Sequence, residues 1–355
     1  MNENKLNVLL LSPLPPPAGG IASWTKRYLK WSESSDLNVE IVNTAVTGKR
    51  LTKINGKRNL IDEISRTKNI MTILKKKIIN NRPNLVHINS SCGKFGIIRD
   101  YLFALLIKEK GIRIIVHYRC NIEDQIGKKN VQLFFFKKLA KAANLNLVLN
   151  TPSKEFLEKE TRCSSTLVPN FIDDSFQIKK NRKINNSVKK ILFVGHVQKT
   201  KGAIEIIETA KYFPDFTFTL AGPVSNEISQ LNLPKNIELI GEINKSKVID
   251  LLDESDIFLF PSYTEGFANA LLEAMAMGLP VIATGVGANL DMLENHGGII
   301  VQKKKHQDIV KAIKKLENKH VREKMSIWNI EKVHSHYFID SVMEQLIELY
   351  RAEIK

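Results

Sequence analysis

Two glutamates stand out by their surroundings. Glu265 and Glu273, with seven residues between them, lie in PSYTEGFANALLEAMAMGLPVIAT (261–284). Glu265 follows an apolar strand, Gly266 opens a helix, and Glu273 falls on that helix among Leu271, Leu272, Ala274 and Met275. Carboxylates are rarely covered by apolar neighbours unless something pairs with them. Two so placed suit the hydroxyls of a sugar and of a ribose, held by charge-assisted hydrogen bonds. A second loop, GHVQKTKG (195–202), also runs from a strand to a helix and carries Lys199, Lys201 and Gly202, a set suited to a diphosphate. A third, SPLPPPAGGIASW (12–24), sets Gly19-Gly20 just before a helix, where bare backbone comes close to a ligand and free N–H groups attract an anion. It lacks G-x-G-x-x-G, and no acidic residue closes the next strand at Asn43-Thr44, which argues against a dinucleotide cofactor.

These loops need a frame that presents them at strand ends. Apolar runs at 6–12, 38–44, 84–90, 112–118 and 145–150 alternate with helical patterns, including a basic amphipathic one from about Asn59 to Asn80 and others at 96–110 and 131–143. A second series of strands follows at 189–196, 216–222, 237–241, 256–260 and 280–284. Strands alternating with helices at this spacing predict parallel sheets with helical crossovers, an α/β class. The chain of 355 residues has room for two such domains. The expected division is 1–170, a polar and basic linker at 171–188, a second domain at 189–330, and a helix over 331–355 that packs back toward the first domain. In open parallel sheets ligands bind beyond the carboxyl ends of the strands.

Composition narrows the function. No run approaches the ~20 apolar residues of a membrane-spanning helix. The N-terminal LNVLLLS reads as a first strand and not as a signal peptide, which predicts a cytoplasmic protein. Cys92, Cys120 and Cys163 are widely spaced and odd in number, with no C-x-x-C, so reduced thiols are expected and neither a disulfide framework nor a zinc site. There is no D-x-D string or His/Cys cluster that calls for a metal. The net charge of +16 sits entirely in the first half: residues 1–170 hold 29 Lys and Arg against 13 Asp and Glu, whereas residues 171–355 hold 24 of each. Such asymmetry predicts an acidic partner for the first half. No nucleic-acid recognition motif is present, so no nucleic-acid partner is expected.

The string E-G-F-x-N-x-x-L-E-A-M-A-x-G-x-P-V-I-A-T resembles the donor signature of the retaining glycosyltransferases of family 4, which have the GT-B fold. The glycine loop at 19–20, the strand ending in His117, VPNFID (168–173) and GHVQKTKG match other parts of that family in the same order. The resemblance covers nearly the whole chain and is strongest over 190–301. It implies two Rossmann-like domains whose parallel sheets face each other across a cleft. It also implies a metal-independent, retaining transfer of a hexose from a nucleotide-diphosphate sugar, in bacterial polysaccharide, capsule or O-antigen synthesis.

Carried over by position, Glu273 holds the donor ribose. Glu265 contacts the hexose together with backbone amides at Gly266, Phe267 and Ala268, with Asn269 next in the motif. Lys201 and the Gly20 amide, beside Gly19, neutralise the diphosphate, and His117 lies beside the transferring sugar. The chain departs from the family at three places. His196 and Lys199 stand in a loop that usually carries arginine after its first glycine. The segment usually written G-G-x-x-E reads Gly287-Ala288-Asn289-Leu290-Asp291, and Phe171 replaces a common glycine. The resemblance also implies that the first domain takes the acceptor. Its basic stretches, with Lys75, Lys76, Lys77 and Arg82 in one and Phe134, Phe135, Phe136, Lys137, Lys138 and Lys141 in the other, fit a polyprenyl-diphosphate-linked glycan on an anionic membrane face. Competing readings are a catalytically weak nucleotide- or glycan-binding subunit, favoured by His196, and a GT-B nucleotide-sugar epimerase.

Overall fold

The computed structural model describes residues 5–16, 19–46, 60–172, 176 and 181–355. Pro17 and Ala18 of the glycine loop, the expected helix start at Asn59, Asp173 and most of 171–180 in the expected linker lie outside the described residues. The chain divides into two compact units, Met1–Val168 with Glu344–Lys355, and Pro169–Met343.

Unit 1 runs β1 (Leu6–Ser12), α1 (Gly20–Ser32), β2 (Leu37–Asn43), α2 (Leu60–Asn81), β3 (Leu85–Ser90), α3 (Lys94–Glu109), β4 (Arg113–Tyr118), α4 (Ile122–Ile126), α5 (Asn130–Ala142), β5 (Leu145–Val148), α6 (Thr151–Thr161) and β6 (Thr166–Leu167). Its sheet is parallel in the order β2-β1-β3-β4-β5-β6. The central strands read as unbroken apolar runs because helices cover both faces, and every residue of β3 is buried.

Unit 2 runs β7 (Lys190–Val194), a 3-10 turn (Lys199–Lys201), α7 (Ala203–Ala210), β8 (Thr217–Ala221), α8 (Asn226–Ser229), β9 (Ile237–Gly241), α9 (Lys245–Glu254), β10 (Ile257–Phe260), α10 (Asn269–Ala276), β11 (Val281–Thr284), α11 (Asn289–Leu293), β12 (Gly298–Val301), α12 (His306–Leu316) and α13 (Lys319–His336). Its parallel sheet is ordered β12-β11-β10-β7-β8-β9, the dinucleotide-fold order when counted from β7. Arg182 donates to the carbonyls of Met277, Asp253 and Ser255, and Asn185 donates to Asp256 at 2.8 Å, so the described residues before β7 are fastened to this unit.

The stretch 331–355 reads in sequence as one helix, and the structure corrects this. α13 ends at His336, and α14 (Ile339–Ile354) starts afresh. The reason is a strand-like bridge at Phe338: Ile172 N–H donates to Tyr337 O at 2.8 Å, and Ile339 N–H donates to Ile172 O at 3.0 Å. Backbone groups spent on Ile172 are lost to a continuous helical ladder.

Each sheet has one point where the strand order reverses, and ligands in such sheets bind outside the strand ends there. In unit 1 that point lies between β1 and β3, and in unit 2 between β7 and β10. The glycine loop follows β1, the GHVQKTKG loop follows β7, and the Glu265 loop follows β10.

Candidate functional site

In unit 2 the two loops at the switch point are tied to each other. Gly202 ends the 3-10 turn with φ +79, and a Cβ there would stand 2.3 Å from Pro261 O. Only glycine allows that approach in that left-handed conformation. Tyr263 N–H donates to Thr200 O at 2.9 Å, adding a second tie. The result is an ion pair: Lys201 Nζ lies 2.5 Å from Glu265 Oε1, with the two side chains 25% and 11% exposed. The residues singled out from separate loops, Lys201 and Glu265, are therefore brought together.

The Glu265 loop is backed from below. Thr284 Oγ1 donates to Ser262 O, and Ala288 N–H donates to Gly266 O at 3.2 Å. Phe267 and Ala268 precede α10, where chain ends leave backbone donors outside the helical ladder. Asn269 opens that helix and accepts from Asn170 Nδ2 at 2.9 Å. Glu273 is half-buried on α10 between the buried Leu272 and Ala274. His196 and Lys199 are exposed on the loop after β7.

Sequence reasoning missed Glu205. It sits in the first turn of α7, is 7% exposed, and accepts from Tyr263 Oη at 2.7 Å. Its signal was present: a carboxylate inside AIEIIETA is as anomalous as Glu273 among leucines. The contact gives the Glu265 loop a third anchor.

In unit 1, Gly19 and Gly20 are exposed at the start of α1. His117 is fully buried at the end of β4, so its neighbours here are all protein groups. Its Nε2 is 3.1 Å from Val168 O, which fixes that nitrogen as the N–H donor. Arg119 Nη1 is 3.2 Å from both ring nitrogens. An in-plane position equidistant from both would run into Cε1, so the guanidinium lies on the ring face. The same guanidinium stands 4.4 Å from the Trp24 ring centroid, a cation–π contact. His87, also fully buried, meets Tyr350 of α14 with 2.5 Å between Nδ1 and Oη. Tyr350 lies far away in sequence, so only the fold reveals this partner.

Burial first, then the Arg119 charge, push the His87 pKa down to about 3 and that of His117 well below the usual histidine range. Burial and then Arg27 pull Arg119 down to about 9. Both imidazoles are thus neutral in the fold at neutral pH and charge readily once unfolded. A depressed folded pKa contributes stability above the unfolded value and loses it as pH falls. Unit 1 is therefore expected to lose stability as pH falls from about 7.5 to about 5.5, through the range where the unfolded histidines take up protons and the buried ones do not. Hydrogen exchange of the β3 and β4 amides, corrected for intrinsic rates, reads this directly. His87→Gln should remove about half of the pH dependence, and protection that ignores pH would refute the assignment.

Among the described residues no three His, Cys, Asp or Glu side chains group so as to hold a metal ion. No described helix is long and apolar enough to cross a membrane. Of the phenylalanine triplet, Phe136 is fully buried in the unit 1 core and Phe134 is 56% exposed.

Residues 174–333 match the family model described as glycosyl transferases group 1. The capsular polysaccharide biosynthesis glycosyltransferase CapM of Staphylococcus aureus is 25% identical over 321 residues, 82% of this chain and 83% of that protein. The UDP-Gal:alpha-D-GlcNAc-diphosphoundecaprenol alpha-1,3-galactosyltransferase of Escherichia coli is 24% identical over 324 residues, 82% and 80% of the two chains. Among solved structures, the sucrose-phosphate synthase of Thermosynechococcus elongatus superposes with a TM-score of 0.79 at 15% identity, over 98% of this chain and 99% of that one, a likeness of fold. With its two parallel six-stranded sheets and this likeness, the chain has the GT-B fold, and its residues 174–333 match the glycosyl transferases group 1 model.

Proposed function

We propose that the protein transfers a hexose from a nucleotide-diphosphate sugar to a lipid-linked glycan in capsular or related surface-polysaccharide synthesis, with retention of configuration and without a metal, at the cytoplasmic membrane face. The observation that carries this reading is the Lys201–Glu265 pair at the switch point of unit 2. A bound diphosphate offers the Lys201 ammonium a second anionic partner, and charge fixed beforehand next to a leaving group lowers the barrier to its departure. Glu265, relieved of part of that pairing, accepts from hexose hydroxyls, with the amides at Gly266, Phe267 and Ala268 beside it. Glu273 holds the ribose from α10. Lys199 and His196 add donors for the phosphates. His117, being buried, is assigned a positioning part at the end of β4. The names of the two relatives support the pathway, and the E. coli one also supports a UDP donor and a diphosphate-linked lipid acceptor.

The test is calorimetry of the purified full chain with UDP- and GDP-sugars, followed by product analysis of the sugar that binds. A carboxylate bonded to a ribose hydroxyl is worth about 1.5–3 kcal/mol. Glu273→Ala should therefore weaken donor binding by roughly tenfold to a hundredfold. Unchanged donor affinity would remove Glu273 from the ribose site, and no donor binding by the unmodified chain would overturn the proposed function.

A further inference from the structure

The other switch point, between β1 and β3 in unit 1, also holds a cavity. Its volume is about 520 Å³, and Gly19, Asn89, Ser91, Glu63, Arg66 and Arg99 are among the residues that line it. A second hollow of about 270 Å³ lies between α2 and α3 and is lined by Ile64, Thr67, Phe95, Ile98 and Leu102. Glu63 and Arg99 line both, so the polar cavity and the apolar groove share a wall.

Arg99 stands at this junction with donors to spare. It is 9% exposed, and its Nε and Nη2 donate to Asp100 Oδ1 at 3.3 and 3.1 Å. Those two contacts are its hydrogen bonds with described protein groups, which leaves Nη1 for a ligand. Arg66 adds a second guanidinium 22 residues after Thr44, whose carbonyl accepts from it. The first turn of α3, a helix of 16 residues, faces the same end of the sheet. Beyond the groove, α2 leaves Ile61, Ile64, Ile73 and Ile79 exposed together with Lys68, Lys75 and Lys76. Isoleucines interleaved with lysines on one outer surface are what a helix lying on an anionic bilayer presents.

We propose that these two hollows are one acceptor site: Arg99 and Arg66 hold the diphosphate and the first sugar of the acceptor in the polar cavity, and the α2–α3 groove takes the first isoprene units of its lipid. This rests on the proposed transferase function and names the acceptor chemistry and the residues that read it. A guanidinium fork matches phosphate oxygens better than an ammonium does. The apolar groove alone would accept many lipids, and the arginines alone many anions. Their shared wall selects a molecule that is anionic and apolar at adjacent positions.

The experiment uses the full chain and three soluble probes: farnesyl diphosphate, inorganic diphosphate and farnesol. The unmodified protein should bind farnesyl diphosphate at least tenfold more tightly than either fragment. The double variant Ile64→Glu/Leu102→Glu, at exposed positions that leave the core intact, should lose at least tenfold in affinity for farnesyl diphosphate and keep its affinity for inorganic diphosphate. Arg99→Lys, which preserves the charge beside Asp100, should weaken both diphosphates. Equal binding of farnesyl and inorganic diphosphate, or a groove variant that binds as before, would overturn the site. So would a groove variant that loses only binding to phosphatidylglycerol vesicles, since α2 would then be a surface anchor and not a lipid channel. Donor calorimetry on the same samples separates the two levels: donor bound and farnesyl diphosphate ignored refutes the groove while the transferase reading stands, and neither bound refutes both.

Discussion

Lys201→Met is expected to lower kcat by about 10²–10³-fold, with a smaller rise in the KM for the donor. Two effects compete in this variant. The first is local: Glu265, 11% exposed, loses the ammonium 2.5 Å away and becomes a partly buried carboxylate without its countercharge. That costs about 1–3 kcal/mol and damages binding and turnover alike. The second is the lost stabilisation of the departing diphosphate, about 3–4 kcal/mol by analogy with removing one preorganised donor at a developing charge, and it acts on kcat. The second is the larger, so kcat must fall by more than KM rises. Glu265→Gln separates them. In the double variant Lys201→Met/Glu265→Gln the buried charge is gone, so the melting temperature should recover while turnover stays low. Recovered turnover would mean that Lys201 serves only to neutralise Glu265.

The elements of this fold were legible where burial writes a pattern into the chain. Central parallel strands are covered on both faces, so LNVLLLS, RIIVHY and IFLF appear as continuous apolar runs and lie where those runs predict. β6 and β12 were not read, since β6 has only two residues and β12 opens on Gly298. The break between α13 and α14 was hidden because its cause, Ile172, is remote in sequence. The site divides in the same way. Glu265 and Glu273 were singled out by residue type against their surroundings, and Lys201 by its place with Gly202 in a loop that follows a strand. That Lys201 meets Glu265 depends on β7 lying beside β10, a neighbour relation that no local spacing encodes. The histidine cluster goes further: His117 could be picked out at its strand end, but its burial by Trp24, His87 and Arg119 depends on α1, β3 and β4 meeting.

Gly287→Ala should lower donor affinity by at least tenfold, while Ala288→Gly next to it should change affinity little. The chain reads Gly-Ala where the family it resembles usually reads Gly-Gly, and the backbone explains which glycine is needed. Gly287 has φ +54, and a Cβ there would stand 2.0 Å from Glu265 O and 2.9 Å from Gly266 O. Those neighbours are backbone atoms, so no rotamer change relieves the clash. The left-handed conformation alone costs an alanine roughly 1–2 kcal/mol. The remainder must be met by moving the carbonyl of Glu265, and with it the carboxylate and the Gly266 amide assigned above to the donor. Ala288, by contrast, has φ −77 and ψ −4, an ordinary right-handed conformation that any residue adopts. Substituting glycine there removes one buried methyl and adds chain entropy, a loss of about 1 kcal/mol in stability with the Glu265 loop left in place. The two variants thus differ by one position and in which backbone they disturb. Calorimetry with the donor, alongside melting temperature, compares them directly. Equal donor affinity in both would show that the close approach of Gly287 does not set the position of Glu265, and the donor role of that loop would have to be given up.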